Sequence, residues 1–158
     1  MRTLSAQILS IIFLISSSTW GQTASIDISD LQLENQFDEK VHIPPSVQFV
    51  LFSTDMDGFN LIKEALDKKQ MNKDFFTKGG LLISDISKMP SLIYKFAAKP
   101  KMQEYPFKLA LDKEGQQTEK WPREKKKVFL FKVQNLKVTE TIPFSTSEEI
   151  QAFLGTMK

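Results

Sequence analysis

The sequence predicts an α/β protein built on one mixed sheet, and three observations lead there. Three apolar runs, "VQFVLF" (47–52), "LLIS" (81–84) and "FKLAL" (107–111), are separated by connections of helical length and pattern. Each run is apolar at nearly every position, as a strand covered on both faces should be. The chain then closes with two strands joined by a tight turn, "VFLFKV" (128–133) and "KVTETI" (137–142), and an amphipathic stretch. Strands joined through helices are expected to be parallel, by right-handed crossovers. The closing pair adds an antiparallel side to the same sheet.

The elements follow in order. Residues 25–30 form a polar lead-in, and "LQLENQFDEKVHI" (31–43) reads as a β-hairpin. Its alternation runs through Leu31, Leu33, Val41 and Ile43 around a turn at Asp38-Glu39, and Pro44-Pro45 ends it. After the first central strand, a helix is expected over 58–69. It places Phe59, Ile62, Ala65 and Leu66 on one face, with Lys63, Glu64, Asp67 and Lys68 elsewhere. Lys78-Gly79-Gly80 breaks the chain before the second strand. A second helix is expected over 89–98, with Pro90 in its first turn. Tyr105-Pro106 opens the third strand, and Asp112-Lys113-Glu114-Gly115 closes it as a turn. A tight turn at Gln134-Asn135 joins the last two strands. Ser145 is the expected cap of the final helix, with Glu148 completing a capping box and Ile150, Phe153 and Leu154 on the buried face.

The N-terminus reads as a secretory signal. Arg2 provides a positive start, residues 4–15 an apolar core, and Thr19 and Gly21 small residues before a cut at Gln22. Ser5, Gln7 and Ser10 interrupt that core, which is too short for a good membrane span. The expected organisation is therefore a signal peptide over 1–21, a polar lead-in over 22–30 and one domain over 31–158. The chain is expected to be exported, with the periplasm as its compartment and no membrane contact after signal removal. At roughly 135 mature residues it can bury a core without staples. There is no cysteine among the 158 residues, although an oxidising compartment would permit disulfides. Thiol–disulfide exchange and thiol peroxidase chemistry both need a thiolate, so both are excluded. The net charge of +2 falls to +1 once Arg2 leaves, too near neutral to indicate nucleic acid.

Element order and spacing over 31–154 resemble the thioredoxin-like fold in its peroxiredoxin-type form. The residues that carry this are "LENQFDEKV", "VQFVLFS", "LLISDIS", "YPFKLALDKEG" and "KKKVFLFKVQNLKVTET". In that superfamily the turn after the first central strand holds the redox or peroxidatic cysteine. Here the same turn reads Ser53-Thr54-Asp55-Met56-Asp57-Gly58-Phe59, and Val128 lacks the proline that thioredoxins keep in cis before it, Pro122 being the nearest. "LISDISKMPS" with "AAKPKMQEYPF" is also similar to a group of small exported bacterial proteins, some of which carry a flavin-dehydrogenase label. No Gly-rich dinucleotide fingerprint supports that label here, and no cofactor is expected. The resemblance implies a groove at the helix N-terminus that takes extended peptides. Its contacts here would be Thr54, Asp55, Met56, Asp57 and Phe59, with Tyr105 and Trp121 as neighbours.

The turn itself admits other chemistry. With Ser53 as position 1, Asp55, Asp57, Gly58 and Glu64 fall near EF-hand spacing, which would gather oxygen ligands for calcium. A strand followed by D-x-D-G also resembles the aspartate-nucleophile phosphatases, but the later acidic pair for Mg²⁺ is missing and only Asp85 is available. The simplest use is a helix start, with Asp57 as the N-cap. His42, the single histidine, has no acid or serine at motif spacing and is expected on the surface. "KWPREKKK" (120–127) reads as a solvated charge run. Trp121 within it either anchors a partner or tucks back over the sheet. Met56, Met89 and Met102 offer an adaptable surface or core filler. The leading expectation is an exported, non-redox binding or accessory module, a monomer or weak dimer, whose partner is a protein or peptide. The alternative is a metal-dependent or phosphoryl-transfer protein using Asp55 and Asp57.

Overall fold

The structure, a computed structural model, describes residues 25–67 and 69–157. The expected signal peptide lies outside them. A single five-stranded sheet runs in the order β3-β2-β1-β4-β5. Its strands are β1 (Phe49–Ser53), β2 (Gly80–Asp85), β3 (Ala110–Asp112), β4 (Val128–Gln134) and β5 (Lys137–Phe144). The first three are mutually parallel, in register from Phe49↔Gly80 to Ser53↔Ser84 and from Ile83↔Ala110 to Asp85↔Asp112. β4 runs antiparallel to β1, and β5 antiparallel to β4. This is the predicted mixed sheet, three parallel strands with an antiparallel hairpin.

Helices α1 (Met56–Leu66) and α2 (Lys69–Thr77) connect β1 to β2. A helical run connects β2 to β3: α3 (Ser91–Ile93), a π-helical turn (Tyr94–Ala98) and α4 (Lys99–Gln103). Helix α5 (Ser147–Thr156) closes the chain. The steps β1→β2→β3 advance in one direction across the sheet, so crossovers of one hand put both helical connections on one face. Packing agrees. Phe59, Ile62, Leu66, Phe75, Met102, Ile150 and Leu154 share one buried cluster with Leu51, Leu82, Leu111 and Leu130. The alternate strand residues Val50, Phe52, Ile83, Phe129 and Phe131 face the other way. Among the described residues no helix covers them there; Ile28, Leu33, Ile43, Val47 and Trp121 do.

Four local readings shift. The predicted lead-in hairpin keeps its turn but pairs only through isolated bridges, Glu34↔Lys40 and Glu34↔Leu111. Asn35 N–H still donates to the Glu39 carbonyl at 2.8 Å and Val41 N–H to the Leu33 carbonyl at 2.9 Å, and Gln36 adds bonds to the sheet edge, accepting from Leu109 N–H at 2.9 Å and donating to the Phe107 carbonyl at 2.8 Å. Helix α2 was not expected. The β-hairpin turn is one residue later than predicted, at Asn135-Leu136, both with positive φ (52° and 62°), the twist a two-residue connection favours. The final capping box is Thr146 with Glu149, also one residue later, and Glu149 further accepts from Ser145 N–H at 2.6 Å. Among the described residues, no helix is long and apolar enough to cross a membrane.

Candidate functional site

At the β1–α1 junction, Ser53 ends β1 buried, its hydroxyl 2.9 Å from that of Ser84. Asp55 follows with an extended backbone and caps α1, its Oδ1 accepting from Gly58 N–H at 2.7 Å. Its Oδ2 accepts from Lys126 N–H at 2.9 Å, so one carboxylate ties the helix start to the loop that enters β4. That loop lies close. A Cβ on Gly58 would sit 2.6 Å from the Lys127 carbonyl oxygen, which is why a glycine stands there. No peptide bond in the described chain is cis, in line with the missing proline.

The predicted contacts separate into three environments. Met56 is 44% exposed on the first turn, and Asp57 beside it is exposed and 3.8 Å from the Lys126 ammonium. Phe59 is buried, its ring 5.7 Å from that of Tyr105, which is half-buried and whose hydroxyl pKa is pushed up by burial. Trp121 does not join them. It is 6% exposed on the opposite face of the sheet, edge-to-face with Phe52 at 4.8 Å and Phe131 at 5.1 Å. Of the two uses left open for it, the structure takes the packing one.

Two further readings of the turn change. The N-cap is Asp55, two residues before the expected Asp57, because Asp55 has the extended backbone and a second donor in Lys126. Asp57 lies inside the first turn, where a negative charge suits the helix dipole. The EF-hand spacing does not close into a loop. Residues 56–66 are helical, so Glu64 sits about 12 Å along the axis from Met56, out of reach of Asp55. Among the described residues, no three His, Cys, Asp or Glu side chains gather as metal ligands would. His42 is exposed, as expected, at the rim of a cavity of about 230 Å³ with Asn35, Glu39 and Lys108.

The most connected polar cluster escaped the sequence reading. Asp85 and Asp112 end β2 and β3, are register partners and are buried. Asp85 accepts from Ser87 N–H at 2.9 Å and pairs with the Arg123 guanidinium, which also donates to the Thr118 carbonyl at 2.7 Å. Asp112 accepts from Gly115 N–H at 2.8 Å and from the N–H and hydroxyl of Thr118 at 2.8 and 2.9 Å. Burial pushes the Asp85 pKa up, but the hydrogen bonds from Arg123 and Ser87 outweigh it and hold the carboxyl below its usual range. Every carboxylate oxygen here has a partner, so the cluster fastens the return loop 113–127 to the strand ends. A signal existed: each aspartate stands at the end of an expected strand, Asp85 after "LLIS" and Asp112 after "FKLAL". Its partner Arg123 lay hidden in a charge run.

With the junction in place, the comparisons with known proteins bear on the fold. No family model matches the chain, and no curated protein matches it in sequence. Solved structures do match in shape. A protein from Chlorobium tepidum, described as a thiol:disulfide interchange protein DsbE, superposes with a TM-score of 0.53 at 19% identity, over 85% of this chain and 97% of its own. Peroxiredoxin Q from Xanthomonas campestris gives 0.51 at 15% identity, over 83% and 94%. A thioredoxin-like protein from Porphyromonas gingivalis gives 0.52 at 14% identity, over 80% and 88%. The chain has a thioredoxin-like fold, and it has no cysteine.

Proposed function

We propose that the chain is an exported, non-redox thioredoxin-like module that binds a protein or peptide at the β1–α1 junction. The observation that carries this is the state of the turn. Asp55 is committed to two backbone N–H groups, while Met56 and Asp57 stand outward on the same rigid helix start. A carboxylate already held by two main-chain donors is a weaker nucleophile, and Glu64 lies out of its reach as a second ligand, so the phosphoryl-transfer and metal readings are not favoured. An exposed methionine on a fixed scaffold instead gives an adaptable apolar contact. Thr54 stands just before the cap in the chain, and Phe59 and Tyr105 pack against each other in the core cluster; Trp121 is left out because it packs on the other face. The N-terminal signal pattern supports export, and with it a periplasmic partner.

The test is a photo-crosslinking residue at Met56 in chain expressed in an export-competent bacterium. The expected result is one specific adduct that Asp57→Lys weakens and that EDTA leaves unchanged. N-terminal sequencing of the exported chain should begin at Gln22. An adduct pattern identical to that of a crosslinker at Glu140, on the far hairpin, would remove the junction as the binding surface.

A further inference from the structure

We propose that the helical run from Ser91 to Gln103 docks peripherally onto an anionic lipid surface. Tyr94, Ala98 and Met102 turn inward to the core. The rest of the run keeps Leu92 70% exposed, Ile93 53% and Phe96 71%, the three most exposed large apolar side chains among the described residues. Apolar side chains scattered singly need no explanation, but three within five residues on one short helix make a patch. Pro100 contributes to its shape. It has no N–H to offer the Phe96 carbonyl, and the chain widens into a π turn in which Lys99 N–H reaches Tyr94 instead.

Charge chooses the occupant. Residues 86–103 hold Lys88, Lys95, Lys99 and Lys101 and no acidic residue. Lys99 is paired with Asp38, whereas Lys88, Lys95 and Lys101 enter no ion pair among the described residues. Lys95 instead lies over the Phe96 ring, 5.7 Å from its centroid. A second copy of the chain would set lysine against lysine across a two-fold contact, which disfavours self-association. The run has exposed neutral polar residues only at its ends, Ser91 and Gln103, and Gln103 is engaged by the Gln36 carbonyl; between them the exposed side chains are aliphatic, aromatic or lysine. Exposed apolar residues interleaved along the chain with unpaired lysines, and with few directional polar groups, suit a fluid anionic interface better than a structured protein surface. The contact replaces the expected absence of membrane contact with a peripheral one, and does not depend on the junction described above.

Because the chain has no cysteine, one introduced thiol reports one position. The full chain carrying Ile93→Cys, labelled with an environment-sensitive fluorophore, is mixed with vesicles of phosphatidylglycerol and phosphatidylcholine, or of phosphatidylcholine alone. The same label at Glu140→Cys, on exposed β5, is the control, since both proteins carry the same N-terminal segment. The expected result is a blue shift at position 93 with the anionic vesicles only, and none at position 140. Adding Lys88→Gln, Lys95→Gln and Lys101→Gln together should weaken partitioning roughly a hundredfold, about fivefold for each lysine. Added salt should weaken it as well. No shift at position 93, or equal shifts at both positions, overturns the proposal. A shift with a soluble acidic amphipathic peptide but none with vesicles also overturns it, and gives the face to an acidic protein.

Discussion

The carboxylates at the strand ends fall into two groups with opposite appearances. The turn after β1 holds the motif-like D-x-D-G, yet its aspartates sit near solvent and begin a helix. The ends of β2 and β3 hold isolated aspartates with no motif around them, yet Asp85 and Asp112 are buried and tied to Thr118 and Arg123. A polar turn advertises itself because water tolerates it. What a carboxylate does is decided by the groups that face it, and those come from distant parts of the chain.

The largest expected effect lies in the buried pair. Asp85→Ala leaves the Arg123 guanidinium and the Ser87 N–H without their acceptor, at a cost of about 3 kcal/mol in urea unfolding. The pH dependence has a definite sign. The folded Asp85 pKa is depressed below its usual 3.8, so its contribution is fully present above the unfolded value and is lost as pH falls through the lower folded one. Asp85→Asn should flatten that acid limb, measured as the slope of unfolding free energy between about pH 5 and pH 2.

The junction should respond less. Asp55→Ala removes the α1 cap and the acceptor for Lys126 N–H, worth about 1–2 kcal/mol. Faster amide exchange at both Gly58 and Lys126 would show that one carboxylate serves both. A loss larger than that of Asp85→Ala would reverse the comparison and make the exposed turn the more important anchor.

The sheet was legible because its signals are redundant: three largely apolar runs, helical spacings between them and a tight-turn pair of strands at the end. Helix α2 was not, since "KQMNKDFFT" has only Met71, Phe75 and Phe76 as apolar residues and no cap signal before it. Caps moved by one or two residues where neighbours share the same chemistry, Asp55 with Asp57 and Ser145 with Thr146. Tertiary partners choose between such neighbours: Lys126 N–H favours Asp55, and no local pattern reports it. Trp121 is the same problem on a larger scale. Its charged neighbours suggest a surface, while Phe52 and Phe131, far away in the chain, hold it inside.

The smallest expected effect is also the most discriminating for the turn. Asp57 and the Lys126 ammonium are 3.8 Å apart and both exposed, so their attraction is screened and set against side-chain entropy. A double-mutant cycle of Asp57→Asn with Lys126→Gln should give a coupling of about 0.5 kcal/mol or less, fading with added salt. Lys126→Gln keeps the backbone N–H that Asp55 uses, so the helix cap survives in every corner of the cycle. A coupling well above 1 kcal/mol at physiological salt would mean that the pair is partly desolvated. The turn would then hold its charges as tightly as the buried strand ends do, and the contrast between the two groups would narrow to a difference of degree.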